Sequence, residues 1–582
     1  MNVFSLRRLA IASVALFVVA LPAGRAQDRF TAPSSVSAPP RAQTATARNG
    51  MVATQEKRAT RIGLDVLEKG GNAVDAAVAV GFALAVTLPR AGNLGGGGFM
   101  LVHLAARGET VAIDYRETAP SAITPEVFLD DAGEADAKKS RDSALAVGVP
   151  GTVAGLTLAL ERYGSGRFTL AELVAPAIVL AREGVPVEDD LLDSLLLAQP
   201  RLARWPSAAR IFLKPDGTPL GAGDRLVRND LAATLETIGR EGPRAFYEGP
   251  IADEIVAAVS AAGGIMRRND IQDYTAVLRK PVKGTYRGYD VVAMPPASSG
   301  GVHLVEMLNI LEGFSPREFN AASAASLHVM IEAMKLAYAD RAAYLGDGDV
   351  VDVPVERLIS KDYATLLRAG IDRRHARAVG EMRPDPPPAS GGNTTHFSIV
   401  DRFGNAVANT TSLNFNYGLG LVAGSTGILL NNTLDDFAAK PGASNAFGLI
   451  GGRANVPGPG KRPLSSMTPT ILLKDGKVAL VTGAPGGSRI ITAVLQVIVN
   501  SIDFKKPVGD AVAAPRVHHQ WRPDEVVVER TLPADIVRGL TALGHKVRIG
   551  PTSGSAHSIA VTPAGLVGAA DLRARGAQAA GY

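Results

Sequence analysis

The feature that most constrains the fold is a change of hydrophobic periodicity near residue 390. Upstream, apolar residues recur at the three-to-four-residue spacing of helices, whereas 395–400 and 405–411 alternate like the strands of a hairpin around a turn at 401–404. Between these regions, residues 383–393 contain three consecutive prolines and two glycines, which excludes a helix or a central strand. The pattern predicts a helix-rich part, an exposed linker and a part in which helices pack on a sheet.

The same periodicity predicts individual elements. The Ala-rich stretch 73–86 lacks a polar face, which indicates a helix buried on most of its surface. The predicted helices are 56–69, 72–87, 151–162, 170–183, 226–239, 249–262, 302–313, 323–345 and 490–502. The further predicted strands are 99–104, 110–115, 478–482, 557–561 and 566–570.

The positive charge of the chain is confined to its first 50 residues. The formal net charge is +5, and residues 1–50 hold six arginines against one acid, so the remainder is formally neutral. A basic body of the kind that binds nucleic acid is therefore excluded. Arg7 and Arg8 precede the apolar run 9–21 and a small-residue stretch that ends at Ala26, the pattern of a secretory signal peptide.

We therefore predict a signal peptide over 1–26 and a disordered spacer over 27–50, which is rich in Ser, Thr, Ala and Pro. The run 9–21 is too short to span a bilayer, so no membrane span is expected after signal removal. The expected destination is the periplasm, with secretion as the alternative.

Composition excludes several types of catalytic site. The chain has no Cys, which excludes thiolate nucleophiles, disulfides and Cys-ligated metals. Its nine histidines show no metal-ligand spacing, and neither a Walker A motif nor a nucleophile elbow is present, so no metal and no cofactor are expected. The glycine runs 95–98 and 486–487 could bring backbone N–H groups close to an anion, although such runs are more often simple turns.

The linker junction offers another way to activate an alcohol. Thr394 directly follows Gly391-Gly392-Asn393 and precedes a predicted strand. If the Asn393–Thr394 bond were cut, the new α-amine of Thr394 could serve as general base for its own hydroxyl. The residues alone leave open the plainer interpretation, since Thr is common at the start of strands.

The segment from Thr394 to Asp401, together with Gly404-Asn405-Ala406-Val407, resembles the start of the small subunit of gamma-glutamyltransferases. These are N-terminal-nucleophile hydrolases that cleave themselves before a Thr. The resemblance runs in order over residues 50–582 and includes the motifs at 70–76, 95–100, 114–117, 295–301, 339–341, 430–437, 462–467 and 483–489.

The resemblance implies an α+β fold, a four-layer αββα sandwich built from two autoprocessed pieces. These are a large subunit, 51–393, and a small subunit, 394–582, which associate as a heterodimer. It also implies a reaction without a cofactor, in which the γ-glutamyl group of glutathione or a related compound passes to water, an amino acid or a peptide.

By the same resemblance, Thr394 is the nucleophile and Asn393 the residue before the cleaved bond. Ser412 stands where the family usually has a second Thr that hydrogen-bonds the nucleophile. Gly486 and Gly487 resemble the oxyanion hole, whose backbone N–H groups meet developing negative charge.

The resemblance also implies a clamp for the α-amino acid part of the substrate. Arg116, Ser465 and Ser466 correspond to the residues that hold the α-carboxylate, with the guanidinium offering its bidentate fork. Asn414 and Asp436 correspond to the acceptors for the α-ammonium group.

Two positions depart from the family pattern. Thr433 replaces a Gln or Glu that would be a further partner of the ammonium, which opens the possibility of a cephalosporin or glutaryl acylase on the same scaffold. Phe447 replaces an aromatic residue, often Tyr, in a Gly- and Pro-rich loop at 441–462 that resembles a mobile lid. A non-catalytic binding relative is the third alternative, disfavoured because the nucleophile, the glycines and the clamp are all present.

Overall fold

The computed structural model describes residues 41–319, 321–379, 392–551 and 554–582. The helices are α1 Lys57–Glu68, α2 Ala73–Thr87, α3 Ala137–Asp142, α4 Thr152–Tyr163, α5 Leu170–Glu183, α6 Asp189–Leu202, α7 Pro206–Phe212, α8 Asn229–Glu241, α9 Arg244–Tyr247, α10 Pro250–Ala261, α11 Arg268–Gln272, α12 Gly300–Glu312, α13 Ala324–Tyr344, α14 Val355–Leu358, α15 Lys361–Ala369, α16 Ile490–Ile502, α17 Val508–Ala513 and α18 Ala534–Ala542.

The strands are β1 Ala42–Ala47, β2 Met51–Thr54, β3 Gly97–Leu104, β4 Glu109–Tyr115, β5 Val185–Pro186, β6 Arg225–Leu226, β7 Val277–Arg279, β8 Val282–Tyr286, β9 Tyr289–Ala293, β10 Gly392–Val400, β11 Ala406–Phe415, β12 Val422–Ala423, β13 Ile428–Leu429, β14 Thr470–Lys474, β15 Lys477–Thr482, β16 Val517–His518, β17 Val526–Glu529, β18 Val547–Gly550, β19 His557–Thr562, β20 Gly565–Asp571 and β21 Gln578–Gly581.

Two seven-stranded sheets form the centre of the fold. One has the order β1-β20-β19-β15-β14-β9-β8, and the other β21-β2-β10-β11-β3-β4-β7. A cluster of buried apolar side chains from both sheets, including Phe99 and Ile471, fills the space between them. A second cluster joins α2, α4 and α5 to one sheet, and a third joins α12, α13 and α16 to the other. The predicted four-layer αββα sandwich is confirmed.

Each sheet combines strands from both sides of the linker. In one sheet β10 pairs with β2 on one edge and β11 pairs with β3 on the other. In the other sheet β1 pairs with β20, and β9 pairs with β14. The residues before and after the linker therefore share one hydrogen-bonded framework.

Local sequence explains the elements near the linker junction. Helix α2 is buried over its whole length, as its composition predicts, and Asn72 and Asp75 close its first turn with a capping box. The hairpin β10–β11 turns at Asp401, whose carboxylate accepts hydrogen bonds from the amides of Phe403 and Asn405. The same carboxylate accepts the amide of Ala73, which fixes the turn against the start of α2.

Two predictions at the chain's boundaries need correction. Ala42–Ala47 is an edge strand paired with β20, so the predicted disordered spacer is wrong for this part of 27–50. Strand β10 begins at Gly392, so the end of the predicted linker is already part of a sheet. The signal peptide, the first part of the spacer and residues 380–391 lie outside the described residues. None of the helices that the structure describes has the length and apolar character needed to cross a membrane.

Candidate active site

Thr394 lies directly opposite Ser412 in the antiparallel pair β10–β11. Its Oγ1 donates a hydrogen bond to Ser412 Oγ over 3.3 Å. The Ser412 oxygen also accepts the backbone N–H of Asn414 at 2.8 Å. Because both hydroxyl groups sit on neighbouring strands of a sheet, their separation is fixed by strand register and not by loop conformation.

The glycine run 95–98 packs β3 closely against β11 behind this pair. A Cβ atom on Gly96 would lie 2.2 Å from the carbonyl oxygen of Ser412, and one on Gly98 would lie 2.3 Å from that of Thr410. These glycines therefore permit the close approach of two strands. The close packing of β3 against β11 therefore explains the glycine run 95–98, whose role the sequence alone left open.

A pocket opens beside Thr394, with about 300 Å³ of empty space including its mouth. Its walls bring together most of the residues that the sequence predicted. The lining residues are Arg116, Thr394, Ser412, Asn414, Asp436, Phe447, Leu449, Ser465, Ser466, Met467, Gly487 and Ile490. Within the described residues, no histidine lines this pocket.

Arg116 and Asp436 form an ion pair at the wall of the pocket. Arg116 Nη2 lies 2.5 Å from Asp436 Oδ2, and the guanidinium is 1% exposed. Arg116 Nε donates a further hydrogen bond to the carbonyl oxygen of Pro463, which fixes the plane of the guanidinium. Burial raises the pKa of Asp436, and the positive charge of Arg116 opposes that rise.

The two serines of the predicted carboxylate clamp are held by their surroundings. Arg341 Nη2 donates to Ser466 Oγ at 3.4 Å, and Arg341 Nε donates to Ser299 Oγ at 3.0 Å. Ser299 in turn donates its hydroxyl to the carbonyl oxygen of Ser465. Arg341 is buried, so this network places a second guanidinium behind the clamp.

Asn414 reaches the pocket through an unusual backbone conformation. Its φ is +78°, in the region that Asn tolerates better than most residues. Its Nδ2 donates to the carbonyl oxygen of Asn432 at 3.0 Å, which orients the amide. Asn414 is therefore positioned before any ligand binds.

Thr433 does not line the pocket. Its hydroxyl donates to Glu117 Oε1 at 2.7 Å, and both residues are fully buried. Glu117 Oε2 has no hydrogen-bond partner in the part of the chain that the structure describes, and it lies 3.6 Å from Arg116 Nη1. Burial raises the pKa of Glu117, while Arg116 opposes the rise. Thr433 therefore lies beside the predicted clamp, with Glu117 between its hydroxyl and Arg116.

The predicted oxyanion glycines precede α16 and have positive φ. Gly486 has φ +135° and Gly487 has φ +57°, conformations that favour glycine. Gly487 lines the pocket, whereas Gly486, the residue before it in the chain, is not part of the pocket wall. A Cβ on Gly487 would lie 2.6 Å from Phe447 Cδ1, so the absence of a side chain also makes room for the lid.

The lid loop, residues 441–462, covers the pocket with Phe447. The Phe447 ring stacks on Phe415, with 5.3 Å between ring centroids. Gln520 Nε2 donates to the carbonyl oxygens of Phe447 and Gly448. Asn445 Nδ2 donates to Asp436 Oδ1 at 3.2 Å, so the lid contacts the clamp directly.

Asp435, next to the clamp, connects the lid to the body of the protein. Its carboxylate accepts hydrogen bonds from Ser140 Oγ at 2.8 Å and from the amide of Ala446 at 3.3 Å. No ion pair within 4 Å compensates its charge among the described residues. Burial raises the pKa of Asp435 to about 7.

Comparison with known proteins decides the family. The family model for gamma-glutamyltranspeptidase matches residues 59–581. The chain belongs to the gamma-glutamyltranspeptidase family. The glutathione hydrolase proenzyme of Escherichia coli strain K12 is 52% identical over 539 residues, which cover 92% of this chain and 92% of that protein.

The chain is also similar to acylases. The Acylase ACY 1 proenzyme of Pseudomonas sp. strain SE83 is 39% identical over 544 residues, covering 91% of this chain and 93% of that protein. The crystal structure of cephalosporin acylase from Bacillus halodurans superimposes with a TM-score of 0.82 at 30% identity, covering 95% of this chain and 99% of that one. The family assignment and the fold together make this chain an enzyme of the gamma-glutamyltransferase and hydrolase type.

Three polar residues at the site were not assigned roles from the sequence. Glu117 and Arg341 lie inside motifs that carried the family resemblance, and Ser299 lies inside another, so their presence in shared motifs was the available signal. Their contacts were not predictable, because they depend on where buried side chains point. Asn393 was predicted as the residue before the cleaved bond, and its backbone belongs to β10.

Proposed function

We propose that this chain is the precursor of an exported gamma-glutamyltransferase that cuts itself between Asn393 and Thr394. The observation that carries the proposal is the position of Thr394 Oγ1, which faces the pocket and lies 3.3 Å from Ser412 Oγ. The described histidines do not reach the pocket, so the α-amine released by cleavage is the base that this position supplies.

In the cleavage step, Thr394 Oγ1 attacks the carbonyl carbon of Asn393, the C–N bond breaks, and the hydroxyl proton passes to the leaving nitrogen of Thr394. The acyl group thereby moves from nitrogen to oxygen. Water then hydrolyses the ester, giving the carboxylate of Asn393 and the free α-amine of Thr394. Ser412 accepts the hydrogen bond that orients the hydroxyl for attack. The reaction needs only water in addition to the chain itself.

In turnover, the α-amine of Thr394 takes the proton of its hydroxyl while Oγ1 bonds to the γ-carbonyl carbon of the substrate. The backbone N–H groups of Gly486 and Gly487 stabilise the oxyanion. The amine product leaves with a proton, and a γ-glutamyl ester remains on Thr394. Attack by water then releases glutamate, and attack by an amino acid or peptide amine gives a new γ-glutamyl amide.

The ion pair between Arg116 and Asp436 supports a zwitterionic substrate head. An α-amino acid group brings one carboxylate and one ammonium, which can bind Arg116 and Asp436 respectively without changing the net charge of the pocket. Ser465, Ser466 and Asn414 extend the two sides of this clamp. Glutathione and other γ-glutamyl compounds carry such a head, and the relative from Escherichia coli is named for glutathione hydrolysis.

We also propose that residues 1–26 direct export, with the periplasm as the destination, and that the pieces on either side of residue 393 stay together as a heterodimer. The mixed strand order of both sheets supports this association.

The test of processing compares purified wild type, Thr394→Ala and Thr395→Ala by denaturing gel and N-terminal sequencing. Thr395 is the matched control, because its buried hydroxyl has no hydrogen-bond partner among the described residues and does not line the pocket. Wild type and Thr395→Ala should give two pieces, the smaller beginning at Thr394, and Thr394→Ala should stay one chain. An uncut wild type, or a different new N-terminus, would overturn the mechanism.

A glutaryl acylase is the second candidate. It is favoured by the orientation of Thr433, whose hydroxyl is bonded to Glu117 and offers nothing to an ammonium group. Hydrolysis of a γ-glutamyl anilide and of the corresponding glutaryl anilide, which lacks the amine, separates the two. We expect a higher kcat/KM for the γ-glutamyl compound; preference for the glutaryl compound would replace the substrate proposal while leaving the processing mechanism intact.

A further inference from the structure

A buried group of metal-ligand side chains lies outside the catalytic pocket. His328, Glu332 and His545 place one ligand atom each within 4.8 Å of the others. All three are at most 4% exposed, and none lines the catalytic pocket. In the described part of the chain, this is the one group of three or more such side chains with this spacing.

Helix geometry brings two of these residues to one face. His328 and Glu332 are four positions apart on α13, so their side chains project side by side. His545 comes from the turn between α18 and β18, and its Nε2 lies 2.7 Å from His328 Nδ1. The two histidines are 217 positions apart in sequence, which is why no ligand spacing was visible there.

The hydrogen bonding of His328 leaves a lone pair directed into the group. His328 Nε2 lies 2.7 Å from the carbonyl oxygen of Asp372, which accepts hydrogen bonds and does not donate them. Nε2 therefore carries the proton and Nδ1 carries the lone pair that faces His545. A histidine that ligates a metal through one nitrogen and donates the other N–H to a backbone carbonyl has this same arrangement.

His545 and Glu332 can complete the ligand set. Without a metal, His545 Nε2 donates its proton to the lone pair of His328 Nδ1. His545 Nδ1 has no hydrogen-bond partner in the described residues, so this nitrogen can carry the proton instead when Nε2 binds a metal. Glu332 uses Oε1 to accept hydrogen bonds from Lys335 Nζ and the amide of Arg377, and no described residue donates a hydrogen bond to Oε2.

The neighbouring charges tolerate a divalent cation. Lys335 Nζ contacts Glu332 at 2.8 Å, donates to the carbonyl oxygen of Arg377 at 2.9 Å and lies 3.9 Å from Asp524 Oδ1, so the ammonium keeps two partners if Glu332 turns to a metal. Glu332, Asp524 and Lys335 together carry a net charge of −1. His519 is not a further ligand, because its Nδ1 accepts the amide of Trp521 and its Nε2 faces Asp524.

We propose that His328 Nδ1, His545 Nε2 and Glu332 Oε2 form a binding site for Zn²⁺ or a similar transition-metal ion. Two imidazoles and one carboxylate are a ligand set that suits Zn²⁺, with water in the fourth position. Zinc–nitrogen bonds of about 2.0–2.1 Å in tetrahedral geometry separate two ligand atoms by roughly 3.3 Å. His328 Nδ1 and His545 Nε2 are 2.7 Å apart, so the two rings must move apart by about half an ångström when the ion binds.

The ion would join residues on both sides of the linker. His328 and Glu332 precede residue 393, and His545 follows it. The role is therefore structural: the metal holds the two processed pieces together at a place away from the reacting atoms.

The experiment uses the processed wild-type enzyme, His545→Gln and Glu332→Gln, each dialysed against a chelator and then titrated with Zn²⁺. His375→Gln is the matched control, because His375 is exposed and lies in the coil that supplies the Asp372 carbonyl. Bound metal is measured by mass spectrometry of the elements after gel filtration, and thermal stability with and without Zn²⁺.

We expect wild type and His375→Gln to retain one Zn²⁺ per molecule and to melt at a higher temperature with Zn²⁺ than after chelation. His545→Gln and Glu332→Gln should bind at least about 100-fold more weakly and show no such shift. Wild type loaded with Co²⁺ should show the strong visible bands of tetrahedral coordination, a readout that requires no variant to fold. The proposal is overturned by equal retention in wild type and His545→Gln, by no retention in wild type, or by an octahedral Co²⁺ spectrum.

Discussion

Replacing Asp435 by Asn is expected to stabilise the protein above pH 7 and to have almost no effect near pH 4. Asp435 is buried, and its partners are the Ser140 hydroxyl and the amide of Ala446. An amide can keep both contacts, because its oxygen accepts from Ala446 while its NH₂ donates to Ser140, whose hydroxyl can also accept. The substitution therefore removes the ionisable proton with little change in shape.

The magnitude follows from proton linkage. Burial raises the pKa of Asp435 from 3.8 to about 7, so the folded chain binds this proton more tightly than the unfolded chain. Such a group destabilises the folded state progressively as pH rises from 3.8 to about 7, and the full effect is present above that range. The difference corresponds to roughly 4 kcal/mol of unfolding free energy.

The assay is denaturant unfolding of Asp435→Asn across pH 4 to 9, in a Thr394→Ala background that keeps the chain in one piece. Asp436→Asn is the matched control, since its carboxylate is ion-paired with buried Arg116. That variant should lose stability near neutral pH, by about 3–5 kcal/mol, because a buried guanidinium loses its partner. A stability gap between Asp435→Asn and the parent that does not change with pH would refute the reasoning from burial.

Three further substitutions test the site. Ser412→Ala should slow both self-cleavage and turnover by at least about tenfold, because the Thr394 hydroxyl loses its hydrogen-bond partner. Ser412→Thr should restore most of both rates. Self-cleavage is followed by gel and turnover by steady-state kinetics, and equal rates for Ser412→Ala and wild type would contradict this. Gly487→Ala should lower kcat/KM and displace Phe447, since the new methyl group would lie 2.6 Å from its ring. The displacement should appear as faster hydrogen exchange in the lid loop, and an unchanged exchange rate there would argue against the contact. Thr433→Val should cost about 1–3 kcal/mol of stability near neutral pH, because Glu117 Oε1 loses its donor; a neutral effect in denaturant unfolding would show that Glu117 does not depend on this bond.

Much of the fold could be predicted because local signals and tertiary packing agree. Helix α2 is Ala-rich and begins with a capping pair, and the β10–β11 hairpin has both alternation and a turn residue, Asp401. Strand β1 was missed because its residues, AQTATA, are small and polar. Its strand conformation comes from pairing with β20 more than 500 positions away, which no local pattern records.

The candidate site likewise has features that the sequence predicts and features that it does not. Two features of the site are set by the backbone: Thr394 lies opposite Ser412 in the β10–β11 register, and Gly486 and Gly487 have positive φ. The catalytic roles predicted for these four residues stay predictions. Side-chain direction was harder to infer: Thr433 stands in the expected segment, yet its hydroxyl points to Glu117 and away from the pocket. A motif gives the position of a residue, but the choice between two buried acceptors depends on the packing of neighbouring elements.

The mixed strand order of the two sheets also determines when a cut after Asn393 can be made without loss of structure. Strand β10 is held between β2 and β11, so these strand pairs exist before the Asn393–Thr394 bond is broken. A folded chain can therefore be nicked without rearrangement, whereas two pieces mixed after denaturation must form β2–β10, β3–β11 and β1–β20 pairs between separate molecules. Refolding from the pieces becomes concentration-dependent and exposes unpaired strand edges, which favours aggregation. The processed enzyme is then expected to owe its lifetime to slow unfolding more than to reversible reassembly.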